Sequence, residues 1–142
     1  MADQIPLLNN TSIAPSIVLI NSLASLAPAP TRTIYASTKC ASLVLYQVLS
    51  IEHPKIKFSN IIPSTIEGEF RSSAVDAGPV READPGKTGL KKEYVAQRCI
   101  QAADNAERTV FLPGSMVLLH SCYWIFPTLV ERVGLKKYKY NP

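Results

Sequence analysis

Two runs of apolar residues frame the first half of the chain. Residues 16–21 read Ser-Ile-Val-Leu-Ile-Asn, and residues 55–62 read Lys-Ile-Lys-Phe-Ser-Asn-Ile-Ile. Continuous apolar runs rich in β-branched residues are typical of strands buried on both faces of a parallel sheet. A segment of helical length separates the two runs, so the pattern predicts a strand-helix-strand unit. Residues 109–112, Thr-Val-Phe-Leu, predict a third, short strand.

Residues 35–52 follow a helical pattern that ends at His53-Pro54. Apolar side chains cover almost the whole circumference of this predicted helix, with Ala41, Leu45, Val48 and Leu49 on one side and Cys40, Leu43, Val44 and Ile51 around it. We therefore expect it to be buried on more than one side, with one face on the sheet. A second helix is predicted over residues 91–106, and residues 4–10 carry a weaker helical pattern.

Tyr35 and Lys39 stand four residues apart at the start of the predicted helix, so their side chains project from one face. An ammonium group beside a phenol favours the phenolate, and such a pair can pass a proton to or from a substrate oxygen. Ser22 follows the first strand, thirteen residues before Tyr35, and its hydroxyl can hold the same oxygen. The three side chains predict a site for a carbonyl or an alcohol. The alternative is that the tyrosine and lysine are a solvated pair on a helix surface.

A serine after a strand, a Tyr-x-x-x-Lys at the start of the next helix and this spacing resemble the short-chain dehydrogenase/reductase family, over about residues 15–114. The resemblance implies the α/β class, with a partial Rossmann-like parallel sheet in a three-layer α/β/α arrangement. It implies Ser22, Tyr35 and Lys39 as catalytic residues and NAD or NADP as cofactor, the lysine also bonding the nicotinamide ribose. The expected substrate is an apolar small molecule that reacts at a carbonyl or hydroxyl group.

Residues 63–68 resemble the family's segment whose backbone meets the nicotinamide carboxamide. Pro63 and Ile66 match the pattern of that segment, and Ser64 stands in the position of a glycine. The resemblance therefore implies that the cofactor is bound by Tyr35, Lys39, Pro63, Ser64 and Ile66. Residues 69–85 follow, a polar stretch broken by glycine and proline that is either a surface loop or, by the resemblance, a substrate lid.

The glycine-rich turn that holds the cofactor pyrophosphate in this family has no counterpart here, because no glycine precedes Gly68. We therefore expect only the carboxyl-terminal half of such an enzyme, with residues 1–114 as the partial nucleotide-binding, catalytic half. The predicted function is that of an NAD(P)-dependent oxidoreductase, represented by a truncated chain that is inactive alone. The alternative is a non-catalytic remnant that serves subunit or membrane association.

Residues 110–130 contain no Asp, Glu, Lys or Arg, a length that a bilayer-spanning helix requires. The third strand, a glycine and two prolines divide this run, so we expect a short apolar helix over residues 115–126 and then a basic tail, within a terminal segment 115–142. One interpretation is an amphipathic segment with peripheral membrane contact through residues 115–139. The other is a helix that covers the core of a soluble domain.

Composition adds little that is specific. The formal net charge of +4 over 142 residues comes without a basic stripe interleaved with aromatic residues, so no nucleic-acid partner is predicted. Cys40, Cys99 and Cys122 lack the paired spacing of a zinc site or a disulfide framework, which predicts no metal and buried, reduced thiols in a cytosol-facing, membrane-associated or soluble protein. The family resemblance also implies a homo-oligomer formed through the Tyr35 helix in a full-length form.

Overall fold

The computed structural model of the chain describes residues 4–68 and 89–138. Along the chain, the elements are α1 (Gln4–Thr11), β1 (Ser16–Ile20), α2 (Thr33–Glu52), β2 (Lys57–Pro63), α3 (Lys92–Asp104), β3 (Thr109–Leu112), α4 (Met116–Ile125) and α5 (Pro127–Lys137). A short 3-10 helix, Leu23–Ser25, lies in the connection between β1 and α2.

The three strands form a parallel sheet in the order β1-β2-β3. Ile17 of β1 is in register with Phe58 of β2, and Ile61 of β2 is in register with Val110 of β3. The prediction of adjacent parallel strands connected through the Tyr35 helix is therefore confirmed. The fold belongs to the α/β class and is Rossmann-like.

Successive side chains of β2 point to opposite faces of the sheet, and each face packs against a different layer of helices. Phe58 packs with Ile5 of α1 and with Tyr46 of α2, whose ring it meets edge-on at 6.2 Å between centroids. Ile61 is fully buried against Val95 and Ala102 of α3. This alternation follows from the two-residue period of a strand, and it produces the three-layer α/β/α arrangement.

Among the described residues, only one side of α2 is covered, and the expectation that its other side packs on a neighbouring subunit stays a prediction. Leu43 is its one buried residue, and the contact with the sheet comes from the partly buried Tyr46 and Leu49. Apolar side chains on the rest of the helix are exposed, and Ile51 retains 73% of its accessible surface. Only one layer of the described chain presses on α2, so a helix that is apolar almost all round leaves much of its surface uncovered.

By length and composition alone, α2 is also the one described helix that could cross a membrane. Core helices of soluble proteins pass the same test. In this fold α2 connects two adjacent parallel strands, which is the usual position of a crossover helix.

The chain after β3 forms two helices rather than the one helix and tail that the sequence pattern predicts. The break falls at Phe126, and Pro127 begins α5, a position where a fixed φ and a missing N–H are tolerated. Lys136 and Lys137 therefore belong to the last turn of a helix. The uncharged run is divided among a strand and two helices, so no single long apolar helix forms. The division of the chain at residue 114 stays a prediction.

The predicted burial of the cysteines is wrong. Cys40 and Cys122 are exposed, and Cys99 is half-buried. Burial raises the pKa of the Cys99 thiol. Cys40 and Cys122 lie on helix faces that no other described element covers, whereas Cys99 packs at the edge of the α3 core.

Candidate active site

The carboxyl ends of β1 and β2 border a cavity of about 540 Å³. Ligands in open parallel sheets bind beyond this edge of the strands. The cavity is lined by every residue for which a catalytic or cofactor-binding role is predicted: Ser22, Tyr35, Lys39, Pro63, Ser64 and Ile66. The fold thus brings together three stretches that are separate in the sequence, while the roles of the individual residues stay predictions.

Ser22 is held in place as the first residue of a small hydrogen-bonded turn. Its Oγ accepts from the amide of Ala24 at 3.2 Å, and its carbonyl accepts from the hydroxyl of Ser25 at 2.7 Å. Its own amide donates to Oδ1 of Asn21 at 2.9 Å. A serine hydroxyl can accept and donate at once, so this arrangement orients Oγ and leaves its proton for a ligand oxygen.

Asn21 holds the backbone of Ser22 in position, and the sequence pattern did not single it out as a functional residue. Its side chain is only 3% exposed and lines the cavity. Nδ2 is buried and has no hydrogen-bond partner among the described residues. A buried side-chain amide whose oxygen accepts a hydrogen bond from a neighbouring backbone N–H is well suited to a positioning role.

Tyr35 and Lys39 project from the first turns of α2, as the four-residue spacing predicts. The Lys39 ammonium nitrogen lies 5.9 Å from the centroid of the Tyr35 ring and donates to the carbonyl oxygen of Ile20 at 2.9 Å. The Arg32 guanidinium carbon lies 6.0 Å from the same ring centroid. Burial lowers the pKa of Lys39 from its ordinary value of 10.5. Two cations therefore flank the phenol.

Backbone hydrogen bonds to β3 and to Leu90 hold the segment after β2. The amide of Ser64 donates to Leu112 at 2.8 Å, extending the β2–β3 ladder. Ile66 then forms an isolated parallel bridge with Leu90, in which the carbonyl of Thr65 accepts from the amide of Leu90 at 2.9 Å and the amide of Glu67 donates to the carbonyl of Leu90 at 3.0 Å. Ser64 does not adopt a positive φ, so a serine fits where the family has glycine. Among the described residues, the amide and carbonyl of Ile66 itself have no backbone partner.

This bridge depends on a glycine that the sequence pattern did not single out. A Cβ on Gly89 would lie 2.4 Å from the backbone nitrogen of Glu67 and 2.7 Å from the carbonyl carbon of Ile66. Real side chains do not approach backbone atoms this closely, so only glycine allows the two segments to pair. Gly89 therefore sets the position of Ile66 in the cavity wall.

Charged side chains around the cavity are mostly cationic. Among the described residues, Arg32, Lys39, Lys92 and Lys137 line it together with one acid, Glu67, which accepts a hydrogen bond from the backbone of Lys92 at 3.2 Å. The remaining wall is largely apolar and includes Ile20, Leu23 and Ala27. The arrangement suits a ligand that combines an apolar body with an oxygen-bearing or anionic group.

Helices α4 and α5 form a wall of the cavity that the sequence did not predict. Leu119, Val130 and Val133 line it, and Gly134 approaches Pro30, whose Cδ would be 3.7 Å from an added Cβ. The available signal was Pro127, a residue that favours the first turn of a new helix. Which side of that helix faces the cavity depends on how the chain folds back, and a local pattern does not contain that information.

Metal ligands do not cluster in the parts of the chain that the structure covers. Over residues 4–68 and 89–138, no group of three His, Cys, Asp or Glu side chains is placed to hold an ion. The predicted substrate lid, residues 69–85, lies outside the described residues.

Comparison with known proteins supports the fold. No family model matches the sequence, and no curated protein matches it either. Among solved structures, a short-chain dehydrogenase/reductase from Burkholderia phymatum in complex with NAD is similar, with 15% sequence identity and a TM-score of 0.69. The match covers 95% of this chain and 53% of that chain, so this chain spans about half the length of its structural neighbour. At this identity the similarity shows the fold alone, which is a Rossmann-like fold of the short-chain dehydrogenase/reductase type.

Proposed function

We propose that this chain carries the catalytic half of an NAD- or NADP-dependent oxidoreductase of the short-chain dehydrogenase/reductase type. The reaction is the interconversion of a carbonyl and a hydroxyl group on an apolar small molecule. The observation that carries the proposal is the convergence of Ser22, Tyr35 and Lys39 on one cavity at the carboxyl ends of β1 and β2. The oxidoreductase-like fold of the NAD-bound structural neighbour supports it.

The residues present fit the nicotinamide end of such a cofactor. A primary carboxamide both donates and accepts hydrogen bonds, and the backbone amide and carbonyl of Ile66, which lack partners in the described chain, offer the complementary pair. The Lys39 ammonium has three donors, of which one is engaged by Ile20. Its other donors suit the ribose hydroxyls. The bound nicotinamide would supply or accept the hydride.

In the direction of reduction, the Tyr35 hydroxyl gives its proton to the substrate oxygen as that oxygen gains negative charge. The Ser22 hydroxyl donates a hydrogen bond to the same oxygen and orients it. The ammonium of Lys39, fixed beside the ring, stabilises the phenolate that remains. Oxidation runs through the same groups in reverse, with Tyr35 accepting the proton of the alcohol. The apolar wall from Leu23 to Val133 favours a hydrophobic substrate body.

The proposed nicotinamide site can be tested directly with a ligand that contains only the nicotinamide half of the cofactor. Reduced nicotinamide mononucleotide carries the nicotinamide and ribose without the adenosine, so it needs only the contacts that this chain offers. Titrated into the isotope-labelled chain at millimolar concentration, it should shift the backbone resonances of Lys39 and Ile66. Lys39→Ala should weaken these shifts, while Lys57→Ala, an equal loss of charge at the exposed start of β2, should not. No shifts at either residue would contradict the proposal.

A second candidate function is association without catalysis, and the exposed apolar face of α2 favours it. Val44, Leu45, Val48 and Ile51 are all exposed on this helix. A second copy of the chain packed on α2 would cover this face, as would other parts of a full-length form. The test compares the sedimentation of the unchanged chain with that of the Val48→Lys variant. If the candidate is correct, the substitution dissociates a dimer, and reduced nicotinamide mononucleotide shifts no resonances of Lys39 or Ile66 in either form.

A further inference from the structure

The two terminal helices, α4 and α5, have two different apolar faces. The inner face, with Leu119 and Val130, lines the cavity. The outer face of α4 is formed by Leu118, Cys122 and Ile125, which lie four and three residues apart and are all exposed. Leu118 and Ile125 are 66% and 67% exposed, and the neighbouring Trp124, whose ring lies edge-on to His120 at 6.4 Å between centroids, is 73% exposed. The outer face is not needed to build the cavity.

Helix α5 continues the outer face and adds charge to it. Leu129 is exposed, and Arg132 and Lys136 lie on the same side of the helix at spacings of three and seven residues from it, whereas Val133 borders the cavity. Glu131 is the one acidic residue between positions 109 and 138. An exposed apolar stripe that ends in basic side chains is complementary to a membrane surface that carries negative charge.

The polar side chain on the outer face of α4 already has a hydrogen-bond partner within the protein. Ser121 is the polar residue in its middle, and its hydroxyl donates to the carbonyl oxygen of Val117 at 3.1 Å. Aromatic side chains that favour the interface region of a bilayer are present at the end of α4 and in the connection, namely Tyr123, Trp124 and Phe126. Burial of this face in lipid would therefore leave its serine satisfied.

We propose that the outer face of the α4–α5 pair docks on the surface of an anionic lipid bilayer. The helices lie on the membrane and do not cross it, because the ten residues of α4 reach about 15 Å against a hydrocarbon core of about 30 Å. A second copy of the chain is a poorer occupant. A two-fold contact through this face would place Arg132 and Lys136 against the same face of the other copy, among whose named residues none is acidic.

Trp124 is the only tryptophan of the chain, so its fluorescence reports on the surroundings of α4. Added to vesicles of phosphatidylcholine with phosphatidylserine, the 142-residue chain should float with the lipid, and Trp124 emission should shift to the blue and resist aqueous quenchers. Vesicles of pure phosphatidylcholine should bind less. Each basic side chain that is lost should weaken binding about fivefold at low salt.

Three variants separate docking from general stickiness. Leu118→Ser should weaken binding to anionic vesicles about tenfold, and Arg132→Gln should weaken it without removing apolar surface. Ile51→Ser on α2 removes an equally exposed apolar side chain from a different face and should leave binding unchanged. Circular dichroism identifies any variant that fails to fold, in which case Arg132→Gln alone decides.

Several results would overturn the proposal. One is equal binding to anionic and neutral vesicles, and another is an effect of Ile51→Ser as large as that of Leu118→Ser. A third is a blue shift of Trp124 that appears without lipid, depends on protein concentration and disappears in Leu118→Ser, since that result assigns the face to a second copy of the chain.

Discussion

The side chain of Lys39 is anchored to the end of the first strand, because its ammonium donates a hydrogen bond to the carbonyl oxygen of Ile20 at 2.9 Å. The bond spans nineteen residues of sequence and ties the start of α2 to β1. It also holds the ammonium beside the Tyr35 ring. The half-buried position lowers the pKa of Lys39. The cation is therefore fixed by the fold as well as by the helix that carries it.

Tyr35→Phe should remove most turnover in a form of the protein that is active. The ring and its packing remain, so only the proton donor is lost, and general acid catalysis contributes about 10²–10⁴-fold. Steady-state rates with apolar ketones or alcohols provide the measurement. Cofactor affinity should be nearly unchanged. Full activity of Tyr35→Phe with any such substrate would show that the proton comes from another group.

Lys39→Ala should lower both turnover and the binding of the nicotinamide end. The substitution removes the cation beside Tyr35 and the hydrogen bond to Ile20. A combined fall in kcat and rise in the cofactor dissociation constant distinguishes it from Tyr35→Phe. Lys57→Ala is the control for net charge. A variant at Lys39 that affects stability only, with unchanged kinetics, would contradict the assignment.

Gly89→Ala should destabilise the chain and disturb the cavity wall. The new methyl group would meet the backbone of Glu67 and Ile66, and the forced shift costs about 1–3 kcal/mol. Gly114→Ala is the matched control, because an added Cβ there meets nothing within 4 Å. Urea denaturation measures both variants. If the two changes have equal effects, the described pairing of residues 65–67 with Leu90 is not formed in solution.

Acid should lower the free energy of unfolding of the chain by disrupting the ion pair between α3 and the turn before β3. Arg98 donates to both carboxylate oxygens of Glu107 at 3.3 and 3.1 Å, and these bonds, with one from Asn105, hold the pKa of Glu107 below its ordinary value of 4.5. The folded pKa lies below the unfolded one, so this contribution is complete above the unfolded value and is lost as the pH falls through the folded value.

Urea midpoints compared between about pH 6 and about pH 3 measure this contribution. Glu107→Gln should flatten the pH dependence. Because Glu107 is exposed to solvent, the difference should shrink at high salt. A dependence on pH that survives in Glu107→Gln would assign the acid sensitivity to other carboxyl groups.

Intact NADH and NADPH should bind this chain with millimolar or weaker affinity. The contacts on offer come from Lys39 and the Pro63 to Ile66 segment, and they address only the nicotinamide end. Such contacts offset little more than an association cost of about 4–15 kcal/mol. Calorimetric or fluorescence titration of the purified chain is the measurement. Micromolar binding of either nucleotide would contradict the proposal that the chain is only the catalytic half.

Much of the sheet and its helices was predictable because the signals are local. The apolar runs at Ile17 and Ile61 require strands buried on both faces, and two such strands separated by a helix pair in parallel. The spacing of Tyr35 and Lys39 likewise determines that both project from one side of α2. The position of Ser22 at the edge of the sheet was predictable because this residue comes just after a strand.

The sequence by itself therefore determined the strands and the crossover helix, and it placed Ser22, Tyr35 and Lys39 at one edge of the sheet, where their roles stay predictions. Tertiary structure alone decided which apolar surfaces are covered, since Val48 and Ile51 continue a pattern that also contains Leu43, yet only Leu43 is buried. It also decided that α5 turns back to line the cavity and that Gly89 lies against Glu67. These outcomes depend on contacts between segments distant in the chain, and a periodic pattern specifies the side of a helix without specifying its neighbour.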